Sequence, residues 1–340
     1  MKRLYQLILL FFICSTVHNR ALANQPAVHR DTPFLQDYSV KYYTNASDPL
    51  LKVAADRNGN IQVLSASGLL KPFDGEFLYP GTLVPDVSYR PMAGKKVTDL
   101  CSCNEQFVFL DNKAVFSNAW AGKLFARHSL DQARLFACAT DFTFLVSDGH
   151  RLVCLNDSKV LGESNSSDEI IQMRYSVNKA LFWILGKKTL SVYSVKEQKL
   201  TRIYDGKDFT SFDFFDQGKK VIIGTTNGYL VLDTQSQKIL GELNTKLPCP
   251  EITCVKEIDN EIWFGSNFGA FMLRRDGKFN YYNGERWLPG NKVTDIAKGP
   301  DHSVLVLTEK GLGQIFFKAM TLEDKALYFE TQVRQRHIRN

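Results

Sequence analysis

Short apolar runs, rich in β-branched and aromatic residues, recur along most of the chain and are separated by turns of Gly, Asn, Asp and Ser. The pattern is sharpest near the C-terminus. Residues 252–284 read ITCVKEIDNEIWFGSNFGAFMLRRDGKFNYYNG and residues 293–317 read VTDIAKGPDHSVLVLTEKGLGQIFF. Each is a strand, a polar turn, a second strand, a Gly-containing turn and a third strand. Residues that tolerate positive φ between such runs are hairpin chemistry. Apolar side chains fall on both alternations, as expected of strands covered on both faces.

Aligned on its first strand, the unit is found seven times: Leu51–Ala55, Val97–Cys101, Leu135–Ala139, Ile170–Arg174, Phe209–Asp213, Ile252–Lys256 and Val293–Ala297. The spacing of 35 to 46 residues is that of four-stranded propeller blades. The sequence therefore predicts an all-β fold, a seven-bladed β-propeller over residues 38–317. The seventh unit supplies only three strands (293–297, 304–308 and 313–317). Tyr38–Tyr43 is expected to provide the fourth, because KYYTN at 41–45 resembles NYYNG at 280–284. A ring closed by this N-terminal strand leaves no blade with an open edge.

From Met320 the period changes to a helical one. Thr321 opens a capping-box pattern, Leu322, Ala326, Phe329 and Val333 share one face, and Glu330 and Arg334 have i,i+4 spacing. Residues 318–340 thus read as a C-terminal amphipathic helix, expected either to start a further domain beyond this sequence or to pack under the propeller as a tail. At the other end, Lys2 and Arg3 precede the apolar run Leu7–Cys14, and Ala21-Leu22-Ala23 offers a cleavage site. Residues 1–23 are therefore read as a secretory signal peptide, too short in its apolar part to span a bilayer, and 24–37 as an irregular leader.

Composition narrows the function classes. The formal charge is +6, but the signal and the C-terminal segment carry most of it, and the repeats show no clustered basic face for nucleic acid. Cys101, Cys103, Cys138, Cys154, Cys249 and Cys254 remain after signal removal, and Cys249 and Cys254 flank a short Pro-containing loop that a disulfide would close. Asn45, Asn156 and Asn165 head N-glycosylation sequons. No histidine or cysteine spacing matches a metal site, no cofactor motif is present, and no catalytic signature is found. Asp99, Asp213 and Asp295 lie on first strands at what read as equivalent positions, where strand-edge hydrogen bonding is the expected role. Arg286 and Trp287, in the connection between the sixth and seventh units, are the candidate ligand contact, a cation beside a large aromatic on a loop.

Val293-Thr294-Asp295-Ile296, Trp263-Phe264-Gly265-Ser266, Gly224-Thr225 and Gly311-Leu312 resemble the two-component-regulator propeller repeat over about residues 205–317. Asp301-His302 replaces the usual Asp-Gly turn. The resemblance implies an extracytoplasmic propeller fold and ligand binding. The expected function is a secreted, non-catalytic binding or scaffold propeller, the N-terminal module of a larger glycan- or polymer-handling protein. The location is extracellular, or periplasmic in a bacterium, and the ligand is a glycan or protein. Two alternatives remain open: a lyase or hydrolase acting in the central channel, and an extracytoplasmic sensor module.

Overall fold

The computed structural model describes residues 34–44, 47–73, 78–79, 96–117, 123–274, 276–323, 326–327, 329–330 and 333–334. The signal, residues 24–33 of the leader and Asn45 lie outside the described residues; residues 34–37, read as irregular, instead begin the strand Phe34–Tyr43. Two compact units are distinguished, residues 37–317 and a unit formed by the two terminal segments.

The larger unit is a seven-bladed β-propeller. Its described strands form seven antiparallel sheets, five of four strands and two of three. The innermost strands are Leu50–Ala55, Asp99–Cys103, Leu135–Cys138, Ile170–Ser176, Phe209–Phe215, Ile252–Ile258 and Val293–Gly299. Each touches the next around a closed ring, the last against the first. In the seventh sheet Phe34–Tyr43 lies beside Gly311–Met320 as the outermost strand.

Seven hydrophobic clusters, one per blade interface, form the core. Trp183 and Trp263 are fully buried within them, which explains why apolar residues fill both faces of the second strands. Blade 5 has three regular strands. Residues 238–244 cover its outer edge only through isolated bridges at Ile239 and Asn244, because Gly241 interrupts the run at a φ of 76°.

Three second-to-third-strand turns explain the seam. Gly228, Gly269 and Gly311 all have positive φ, and a Cβ on each would strike a carbonyl oxygen of the fourth strand: that of Asn244, Tyr282 and Tyr42 respectively. Tyr42 is therefore the counterpart of Tyr282, and both rings are buried. The sequence match of KYYTN with NYYNG is out by one residue, pairing Tyr42 with Tyr281. A slip of one would turn the buried Tyr42 ring outward and the 65% exposed Tyr43 inward.

In the terminal unit, the described residues between 322 and 334 are helical. Arg334 and Glu330 form the i,i+4 ion pair, at 2.5 Å. Leu322, Phe329 and Val333 are exposed.

Candidate functional site

The seven inner strands share a device visible in the ladder registers. Five carry a register shift near their start: Leu50/Lys52, Ile170/Gln172, Phe209/Ser211, Ile252/Cys254 and Val293/Asp295. In the other two blades, main-chain bonds from Thr98 to Leu110 and from Arg134 to Ser147 occupy the same place. Counting from this bulge sets the levels of the channel wall. Lys52, Asp99, Leu135, Gln172, Ser211, Cys254 and Asp295 form one level. Ala54, Cys101, Ala137, Arg174, Asp213, Lys256 and Ala297 form the next, two residues further along the same strand face. Asp213 thus belongs one level below Asp99 and Asp295, which corrects the equivalence read from the sequence; the bulge hides the offset.

The carboxylates on these levels latch one blade to the next. Asp99 Oδ2 accepts the N–H of Phe136 at 3.2 Å, and Asp295 Oδ2 that of Val53 at 2.9 Å. Gln172 performs the same task in blade 4, where Oε1 accepts from Phe212 N at 2.8 Å and Nε2 donates to Phe212 O at 3.1 Å. One level on, Asp213 Oδ2 accepts from Glu257 N at 3.0 Å. Inner-strand N–H groups have no ladder partner on the channel side, so a side chain from the neighbouring blade satisfies them.

Cations complete the girdle. Lys52 pairs with Asp99. Arg174 Nε donates to Phe212 O at 3.1 Å and lies 3.4 Å from Asp213 Oδ1. The side chain of Lys256 makes no hydrogen bond or ion pair with any described residue. Burial, with Arg174 and Lys52 nearby, pushes its ammonium below the ordinary lysine value against the pull of Asp213 and Asp295. Burial likewise raises the Asp295 carboxyl, opposed by Lys256, the Val53 N–H and Lys52. Burial drives the Cys101 thiol up to about 12, with the Asp99 charge adding to it, so Cys101 is no thiolate nucleophile.

Of the residues singled out from the sequence, Arg286 and Trp287 lie in the blade 6–7 connection. The exposed Arg286 guanidinium sits over the indole at 4.5 Å from its centroid. The indole meets Tyr282 edge-on at 5.3 Å and packs on the blade 6–7 core. Its buried Nε1 has no hydrogen-bond partner among the described residues. The ring is therefore a wedge whose outer face holds Arg286. The loop itself is shaped by Asn283, whose carbonyl accepts from the N–H groups of Trp287 and Leu288.

The expected Cys249–Cys254 bridge is not formed; both thiols are free, and the disulfide joins Cys103 to Cys138. Cys249 belongs to the blade 5–6 core and Cys254 to the blade 6–7 core, so the blade 6 sheet stands between them. Cys103 and Cys138 instead meet in the blade 2–3 core. Asn156 donates its side-chain amide to Thr143 Oγ1 at 3.0 Å, and Asn165 is exposed at the end of an outer strand. His128, His150 and His302 lie off the inner strands, and no group of metal-ligating side chains is found among the described residues. No described helix is long and apolar enough to cross a membrane.

No protein-family model and no curated protein matches this chain. Solved structures do. The extracellular domain assigned to the hybrid two component system BT4673 of B. thetaiotaomicron superposes with a TM-score of 0.61 at 12% identity, over 83% of this chain and 39% of that one. The corresponding domain of BT3049 from the same organism gives 0.60 at 14% identity, over 78% and 40%. A catalytically inactive virginiamycin B lyase from Staphylococcus aureus, solved with quinupristin, gives 0.64 at 10% identity, over 84% and 100%. This chain thus spans about two fifths of the two-component domains. What it shares with all three is the propeller fold, including that of the extracellular domains to which the repeat resemblance pointed.

Proposed function

We propose that this protein is a secreted, non-catalytic propeller that binds an acidic polymer, such as a uronate-containing glycan, on the face carrying the connections between blades. The observation behind the reading is the pair Arg286–Trp287. An exposed guanidinium resting over an indole, 4.5 Å from its centroid, loses less freedom when it takes a carboxylate than an unsupported arginine would. The channel supports a non-catalytic role, because Asp99, Asp213 and Asp295 are each engaged by main-chain N–H groups of the next blade. A general acid or base needs a carboxyl free to exchange its proton with substrate. Secretion through residues 1–23 and attachment to a downstream catalytic module belong to the same reading.

Affinity electrophoresis in gels containing polygalacturonate, or its fully methyl-esterified form, tests the charge requirement. Retardation is expected only with the free acid and should weaken about tenfold in Arg286→Ala, as one charge-assisted contact of about 1.4 kcal/mol would give. Equal retardation by the ester, or none by either polymer, refutes the acidic-polymer reading.

A further inference from the structure

The channel holds donors that no described residue satisfies. Three carboxylates and three cations from six blades face one another there, but they do not pair off evenly. Asp99 takes Lys52 together with the N–H groups of Leu100 and Phe136. Asp213 takes Arg174 Nε with the N–H groups of Phe214 and Glu257. Asp295 is held by Val53 N–H, with Ile296 N–H beside it. The carboxylate charge is therefore largely met by main-chain dipoles. The terminal N–H groups of the Arg174 guanidinium and the whole Lys256 ammonium make no hydrogen bond to a described residue.

These two cations stand on the same level of the wall, in blades 4 and 6, with Asp213 between them in blade 5. Arg174 is near enough to depress the protonation of Lys256. Two like charges near each other and partly out of water are costly unless acceptors meet both, and Asp213 meets only Arg174 Nε. A guanidinium fork and an ammonium on one level of the wall, both with N–H groups that no described residue takes, form the donor set that receives an oxyanion.

We propose that Arg174 and Lys256 form an oxyanion-binding site inside the channel, which takes the carboxylate or phosphate group of a small molecule. The site is separate from the Arg286 loop: Arg174 and Lys256 stand on inner strands, Arg286 on a connection between blades. Asp213 sets its orientation by fixing Arg174 Nε. Cys101 is neutral and adds no competing charge.

The test is a thermal-unfolding titration of the full chain with sodium phosphate, and separately with sodium acetate, at constant ionic strength held with sodium chloride. Saturable rises in Tm of about 2–5 °C are expected, the size a ligand well above its Kd gives a domain of this length. The rise should vanish in Lys256→Met and persist in Lys298→Met, which removes a lysine paired with Asp259 on the surface. A response to phosphate alone identifies a phosphate site, and a response to acetate alone a carboxylate site. No saturable rise with either anion, or an undiminished rise in Lys256→Met, overturns the proposal. Should Lys256→Met fail to fold, the 31P linewidth of inorganic phosphate is compared between the wild type and Lys256→Arg. Broadening by the wild type that Lys256→Arg alters supports the site, and no broadening, or broadening identical in the two proteins, refutes it.

Discussion

Replacing Asp99 by alanine separates a structural channel from a catalytic one. The carboxylate is almost fully buried and joins three groups: the Lys52 ammonium, Leu100 N–H at 2.8 Å and Phe136 N–H at 3.2 Å. Losing the acceptor leaves the buried Phe136 N–H unsatisfied, at about 1.5–3 kcal/mol for a bond to a charged group. The Lys52 side chain is 40% exposed, so its pairing adds no more than about 1 kcal/mol. With the void left at the blade 2–3 interface, Asp99→Ala is expected to cost about 3–5 kcal/mol. Asp99→Asn keeps an acceptor for Phe136 and should cost about 1–2 kcal/mol. Urea unfolding followed by tryptophan fluorescence measures both, as a lowered midpoint at an unchanged slope. Asp276→Ala, in an exposed ion pair with Arg274, is the control and should stay within about 0.5 kcal/mol of wild type. The opposite result would carry a meaning of its own. Catalytic groups are commonly retained at a cost in stability, so an Asp99→Ala protein as stable as wild type, or more so, would refute the latch and reopen the channel as an active site.

Other perturbations bear on separate parts of the fold. His302 is exposed with a φ of 53°, so His302→Gly should raise stability by about 1 kcal/mol, a Tm gain of about 2–4 °C; a fall would mean that its side chain is used. Gly311→Ala, at a φ of 146° against the Tyr42 carbonyl, should cost about 3 kcal/mol or more, whereas Gly277→Ala, with open space around it, should cost only its φ strain, about 1 kcal/mol. Deleting residues 38–43 should lower the Tm far more than deleting residues 24–36, and equal losses would contradict ring closure. Burial disfavours the charged form of Asp48, but bonds from Ser65, Lys71 and Ser67 outweigh it and hold the carboxyl at about 2. Its folded pKa lies below the unfolded value of 3.8, so its contribution, about 1–2 kcal/mol, is present above pH 4 and lost as the pH falls toward 2. Asp48→Asn should flatten the stability profile in that window and nowhere else.

The fold was legible because a propeller writes its period into the chain. The second strands, such as Trp263–Ser266 and Val304–Thr308, are buried on both faces, and only a stack of blades demands apolar residues at every position. The turns were legible where Gly or Asn stands at positive φ. Two details escaped for identifiable reasons. The sequence match at the seam falls one residue out of register because KYYTN offers two adjacent tyrosines, and only packing against Phe73 selects Tyr42 as the buried one. The disulfide departs from the candidate pair because loop length weighs less than sheet geometry: Cys249 and Cys254 are near in sequence but fall in different interfaces, while Cys103 and Cys138, 35 residues apart, meet with Cα atoms 6.2 Å apart.

The channel was the least legible part, and the reason lies in the repeat itself. Asp99 and Asp295 were noticeable because each follows Val-Thr, yet Gln172, which does the same work, sits in Ile-Ile-Gln-Met and carries no such mark. Lys52, Arg174 and Lys256 occur in three different blades, and nothing in their local sequence says that they converge. Once the bulge fixes the levels, their roles divide. Side chains that reach the next blade's N–H groups hold the ring together, and those groups recur because the ring recurs. Arg174 and Lys256 have no counterpart in the other blades at their level, and the donors they leave open close no structural bond. A repeat protein departs from its own pattern at a cost, since a residue such as Ala54, Ala137 or Ala297 fills the same level without burying charge. The departure at blades 4 and 6 is therefore where a ligand inside the ring should be sought, and the Arg286 loop is where one on the face should be.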